Sequence, residues 1–253
     1  MKVWILGVGM GPQHVTPEVA EALRSVDYVI AADKGEQDGL LAVRRAVVDA
    51  HAPSVPVVTV VDPQRDRSPG LTAGAYDRAV TEWHARRAAR YATVLRERGG
   101  TAAFLVWGDP GLYDSTIRTV QRIRALGVPL DWAVLPGISA PQVLAARHRI
   151  VLHEVGRPVH ITTGRRLGEA VAAGMEHIVA MLNPDDWYLG DLGEVADWMI
   201  WWGANLGGPG EQLVAGRVAD VCDAIAAARR AAKAEAGWVM DVFLVRRPSC
   251  RES

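Results

Sequence analysis

The chain has 253 residues, 49% of them apolar, and 28 Lys+Arg against 29 Asp+Glu leave a formal net charge of −1. A chain this long buries about 70–75% of its unfolded surface, so a large core needs no staples, and the length allows one large domain or two of about 125 residues. Even charge argues against nucleic acid as the main partner, no apolar run reaches the roughly 18–20 residues of a membrane span, and two distant cysteines, Cys222 and Cys250, exclude a disulfide framework and any CxxC metal site.

Residues 3–9 form a short apolar run ending in glycines, which reads as a strand and not as a signal peptide. Thr16 followed by Pro17 marks a helix start, an N-cap with proline at the first helical position. Residues 28–32 are a second apolar run and 39–50 are helical. Residues 56–61 are β-branched and nearly continuous, which suits a strand buried on both faces. A long helix follows over about 72–98, with Tyr76, Val80, Trp83, Tyr91 and Leu95 at helical spacing. Residues 102–107 are the fourth strand, 113–126 a helix and 130–135 the fifth strand. Five βα units in a row predict a parallel, doubly wound sheet.

The second half differs. Residues 159–163 and 178–182 read as strands separated by a helix from about Arg165. Residues 195–202 are apolar and Trp-rich, as strand or helix. Residues 213–217 and 238–245 read as strands around an Ala-rich helix, 218–234. Fewer crossover helices predict a mixed sheet. The boundary is expected at 137/138, giving units 1–137 and 138–253. The fold class is therefore α/β, with a parallel five-stranded N-terminal sheet, a mixed C-terminal sheet and flanking helices.

Open parallel sheets bind ligands beyond the carboxyl ends of their strands. The five loops there are Gly7-Val8-Gly9-Met10-Gly11-Pro12, Asp33-Lys34-Gly35, Asp62-Pro63-Gln64-Arg65-Asp66-Arg67, Gly108-Asp109-Pro110-Gly111 and Pro136-Gly137-Ile138-Ser139-Ala140. Any one of them reads as an ordinary turn; five together point to a cleft. The first loop is not a dinucleotide fingerprint, because G-x-G-x-x-G starts its helix inside the motif. Here Pro12 intervenes and the helix signal comes only at Thr16-Pro17. No HExxH, GxxxxGK[ST] or GxSxG is present. The histidines lack metal-ligand spacing, and no metal is expected. In the fourth loop Gly108 allows close backbone approach, Pro110 stiffens the turn, and Asp109 is an acceptor suited to a ligand hydroxyl or ammonium.

These segments resemble the tetrapyrrole (corrin/porphyrin) S-adenosylmethionine methyltransferases over essentially the whole chain. The resemblance rests on residues 7–12, 106–113 and 135–140, in the family's order and spacing. It implies two α/β domains with a cleft between them, the first on the tetrapyrrole side and the second completing the S-adenosylmethionine site. S-adenosylhomocysteine would be the product. Matched residue by residue, the resemblance places Pro12, Gly108, Asp109, Leu112, Ser139 and Ala140 at the cofactor, joined by Met181, Gly203 and Ala204 from the second domain. The first loop departs from the family: Gly11 is followed directly by Pro12, where relatives carry an intervening acid.

Segments 33–35, 62–67, the Trp83-His84 helix and 107–116 look specific to a branch that methylates C1 of precorrin-5 and expels its acetyl group as acetate, in aerobic cobalamin biosynthesis. On that reading Asp33 orients the water that the deacetylation needs, and Tyr113 hydrogen-bonds to the macrocycle. The substrate's carboxylates are expected at Lys34, Arg65, Arg67 and Arg118. The bland readings are a turn cap for Asp33 and solvated surface for the cations. The alternatives are another methylase of the same fold, diphthine synthase-like or specific for a different tetrapyrrole position, and, in a different class, an NAD(P)-dependent reductase. A cytoplasmic homodimer is expected, with the apolar stretch 198–202 as a possible interface.

Overall fold

The computed structural model describes residues 1–33, 35, 39–64, 73–184 and 193–248. The chain divides into two compact units, Met1–Ile138 and Ser139–Ser253. In the first, β1 (Lys2–Gly7), α1 (Pro17–Arg24), β2 (Tyr28–Asp33), α2 (Gly39–His51), β3 (Val57–Val61), α3 (Ala73–Arg98), β4 (Thr101–Val106), α4 (Thr116–Ala125) and β5 (Asp131–Leu135) follow in order. The sheet order is β3-β2-β4-β1-β5 and every pairing is parallel.

Alternate residues of a strand face opposite sides, and the apolar runs of β1 and β4 serve a core on each face. Ile5 and Phe104 pack with Tyr91 and Leu95 of α3 and Ile123 of α4. Leu6 and Leu105 pack with Leu23 of α1 and Val47 of α2. Thr16 caps α1 as expected, its hydroxyl accepting the Val19 N–H at 3.2 Å.

Three expectations need correction here. The strand β3 is an edge strand, not one buried on both faces, and Val61 is 67% exposed. Its β-branched run reflects strand propensity without double burial. The α3 stripe enters the core only at Tyr91 and Leu95, while Tyr76 stays exposed. Helix α4 begins at Thr116, so Tyr113 precedes it, in the left-handed region at φ 53°.

The second unit contains α5 (Ala140–His148), β6 (His160–Thr163), α6 (Leu167–Ala172), β7 (His177–Met181), β8 (Met199–Ala204), β9 (Gln212–Arg217), α7 (Val218–Ala236) and β10 (Asp241–Arg246). Its order is β6-β7-β10-β8-β9; β6 and β7 are parallel and the other pairs antiparallel, a mixed sheet. Residues 199–204 resolve as an inner strand. Trp198, Ile200 and Trp202 are buried in this unit's own core, while Met199 and Trp201 between them are only partly buried. Among the described residues no helix is long and apolar enough to cross a membrane.

Candidate cofactor and substrate site

In the first unit the carboxyl ends of β1, β4 and β5 are knitted together by backbone. Beyond the parallel ladder, Val8 N–H donates to the Val106 carbonyl at 2.9 Å. Gly9 and Gly108 then exchange two N–H···O bonds of 3.2 and 2.8 Å. Gly108 takes φ +73°, a conformation that favours glycine. A Cβ on Gly137 would lie 2.2 Å from the Gly108 carbonyl oxygen and 2.7 Å from the Gly7 carbonyl carbon, so glycine is required for this approach.

Asp109 closes the arrangement. Its Oδ1 accepts the Gly111 N–H at 2.8 Å and its Oδ2 accepts the Gly137 N–H at 2.9 Å. The carboxylate is thus first a brace between the β4 and β5 loops. Each carboxylate oxygen has two lone pairs, so acceptor capacity for a ligand ammonium or hydroxyl remains. Leu112 beside it is half-buried and Tyr113 is 44% exposed. Pro12 opens a short 3-10 turn, and its carbonyl oxygen meets His51 Nε2 of α2 at 2.8 Å. Because α1 starts only at Pro17, the glycines of the first loop lead into this 3-10 turn and not into the N-terminus of an α-helix.

Asp33 ends β2, paired in register with Val61, and its Oδ1 accepts the Gly35 N–H at 2.9 Å. Its side chain therefore caps a turn. Arg118 is exposed, donating from Nη2 to the Asp114 carbonyl at 2.9 Å. Lys34, Arg65 and Arg67 lie outside the described residues.

In the second unit Ser139 is the N-cap of α5, with Ala140 the first helical residue. The Ser139 N–H and Oγ both donate to Gln142 Oε1 at 2.8 Å. Met181 ends β7 half-buried, and Leu182 follows at φ 53° with 59% exposure. A bulky residue in the left-handed region is an outlier that costs about 1–2 kcal/mol and persists only where its surroundings hold it.

The residue that follows Leu182, Asn183, is tied into a hydrogen-bond network. Asn183 Nδ2 donates to Asp241 Oδ1 at 3.1 Å, and Asp241 Oδ2 accepts from Trp202 Nε1 and Arg229 Nε, both at 3.1 Å. The members of this network are far apart in the chain and follow no spacing, so it has no linear signature. Gly203 and Ala204 pair with both β10 and β9. A Cβ on Gly203 would meet Leu206 at 2.7 Å, and Ala204 is fully buried. Neither presents a side chain to a ligand.

The loop residues of the first unit fit a sulfonium cofactor. A half-buried Asp109 carboxylate with spare acceptor capacity, an apolar Leu112 and close-packed glycine backbone suit a ligand that is cationic at one end and apolar beside it.

The comparisons with known proteins agree with that chemistry. The family model Tetrapyrrole (Corrin/Porphyrin) Methylases matches residues 2–222. The chain belongs to this family. A curated protein from Sinorhizobium sp., precorrin-6A synthase [deacetylating], is 42% identical over 97% of this chain and 95% of its own. The crystal structure of a cobalamin synthesis related protein (CobF) from Corynebacterium diphtheriae is 36% identical, with TM-score 0.82 over 97% of this chain and 98% of that one. A more distant structure shares the fold at 19% identity, with TM-score 0.62 over 97% and 92% of the two chains. It is the uroporphyrin-III C-methyl transferase of Thermus thermophilus, complexed with S-adenosylhomocysteine. Tetrapyrrole methylases depend on S-adenosylmethionine.

Proposed function

We propose that this chain methylates C1 of precorrin-5 and releases the acetyl group as acetate, giving precorrin-6A. The observation that carries the reading is the 42% identity to precorrin-6A synthase [deacetylating] over 97% of the chain. S-adenosylmethionine, when bound, supplies an activated methyl group. Everything else falls to this chain's residues.

In the first unit, Gly108, Asp109, Leu112 and Pro12 would hold the cofactor. Asp109 would accept from its ammonium or ribose hydroxyls while keeping its brace to Gly111 and Gly137. In the second unit, Ser139, Ala140 and Met181 would contribute, and Gly203 and Ala204 could do so only through backbone. Fixing the reacting carbon in line with the methyl group is worth about 7–11 kcal/mol for well-oriented partners, enough to make acid–base help at that step secondary.

Deacetylation consumes one water, whose oxygen ends in the acetate. The Asp33 carboxylate would orient that water through the lone pairs left free by the Gly35 N–H, and the Tyr113 hydroxyl would bond to the macrocycle. Lys34, Arg65, Arg67 and Arg118 would meet the substrate's carboxylates, and a second copy of the chain would complete a homodimer.

Calorimetry with S-adenosylhomocysteine and with NAD(P) separates this reading from a reductase. Binding of the first and not of the second is expected; the reverse would overturn it. For Asp33→Asn, slowed acetate release is expected, and wild-type rates of methylation and acetate release would remove Asp33 from the mechanism.

A further inference from the structure

The β2–β4 ladder stops at Ile30 and Phe104, while β2 runs on to Asp33 beside β3 and β4 runs on to Val106 beside β1. The two strands part at their carboxyl ends, and the parting opens a cavity of about 30 Å³. That is room for about two waters, or for the head of one carboxylate. Its polar lining is Arg44, Arg87, Tyr91, Thr116 and Thr119, and among the described residues no Asp or Glu lines it.

Both arginines are anchored at Nε. Arg44 Nε donates to the Leu105 carbonyl at 2.9 Å, beyond the point where β4 pairs with β2. Arg87 Nε lies 3.1 Å from Asp62 Oδ1 and donates to the Tyr91 hydroxyl at 3.1 Å. Because these contacts of Arg87 are at Nε, its two terminal NH₂ groups take no part in them. A guanidinium fixed this way is a preorganised fork for a carboxylate. Burial raises the Tyr91 pKa above its usual value, so its hydroxyl stays protonated and keeps a proton to donate. Thr116 opens α4 and lines the cavity, while its backbone N–H donates to the Asp114 carboxylate, so the helix N-terminus itself is already capped and the polar contact Thr116 can offer is its hydroxyl.

We infer that this wedge is a binding site for a short carboxylate. Its size admits a two-carbon acid and leaves a longer chain projecting through the mouth. On the reading under Proposed function, the carboxylate comes from one of two sources: the acetate that leaves, or a carboxylate of the tetrapyrrole itself.

The test is NMR titration of the full chain with ¹³C-acetate, using acetamide as the neutral isostere. Saturable binding of acetate alone is expected. Arg87→Gln and Thr116→Val, the latter leaving both arginines in place, should each weaken it about tenfold or more, the scale of a hydrogen bond to a charged group. Equal binding of acetate and acetamide, or undiminished acetate binding in Thr116→Val and in a folded Arg87→Gln, would overturn the site. Adding the tetrapyrrole then separates the sources. Displaced acetate assigns the site to a substrate carboxylate, and retained acetate assigns it to the leaving group. Acetate binding is read without turnover, so failure of the site and failure of the proposed reaction are distinguishable.

Discussion

Asp109 carries the most specific mechanical prediction. Its two oxygens hold the Gly111 and Gly137 N–H groups at 2.8 and 2.9 Å, tying the loop after β4 to the loop after β5. Asp109→Ala removes both bonds and leaves two backbone donors, the Gly137 one part-buried. A hydrogen bond to a charged acceptor is worth about 1.5–3 kcal/mol, and water recovers part of the loss at the exposed Gly111 side, so a net cost of about 2–4 kcal/mol is expected. In a unit of this size that is a fall in Tm of about 4–12 °C. Asp109→Asn should fall in between, because its amide can accept through one oxygen only and must turn an NH₂ toward a second donor. Calorimetric unfolding reads the stability and isothermal titration reads S-adenosylhomocysteine affinity, which should weaken along with the loop. A Tm within about 1 °C of wild type, with weakened binding alone, would show that Asp109 contacts ligand without bracing the loops and would refute the reasoning.

Gly137→Ala places a methyl 2.2 Å from the Gly108 carbonyl oxygen, against backbone that cannot swing aside. A loss of about 3 kcal/mol or more is expected in chemical denaturation. Gly127→Ala, with nothing within 4 Å of its Cβ but φ +77°, should lose only about 1 kcal/mol. Arg229→Met strips the buried Asp241 carboxylate of its cation, and about 3–5 kcal/mol should go, with loss of the Leu182 conformation visible in the NMR shifts of that loop. His177 is buried, and burial, followed by the Arg246 guanidinium, lowers its pKa below the usual 6.5, with Glu154 and Glu176 opposing. The unfolded chain therefore binds the proton first, and stability should fall as pH drops below about 6.5. His177→Gln should flatten that part of the stability–pH curve; an unchanged slope would exclude His177 as its source.

Much of the architecture was legible because it follows from local rules. The parallel sheet announced itself in five apolar runs alternating with helical spacing, and Thr16-Pro17 fixed the start of α1. The reading failed where tertiary placement decides. The composition of residues 56–61 is that of a buried strand, yet its neighbours leave it at an edge. The tryptophans at 198 and 202 could serve a core or an interface, and only the position of β8 inside its sheet assigns them to the core. The loops at the site were found by glycine and charge, but their chemistry was only partly readable. Asp109 looked like a ligand acceptor and is first a brace, a role that depends on Gly137, 28 residues away. The Asp241 network and the Arg44–Arg87 wedge assemble residues from several elements and have no linear signature at all. Leu182 takes a positive φ that no sequence rule assigns to leucine.

On the proposed function, methyl transfer and acetyl loss occur on one substrate in one active site. Incubation of the chain with precorrin-5 and S-adenosylmethionine, with mass spectrometry of the tetrapyrrole and quantitation of acetate, tests it directly. One acetate released for each methyl transferred is the predicted result. Methylation without acetate, or turnover of a different tetrapyrrole in preference to precorrin-5, would contradict it.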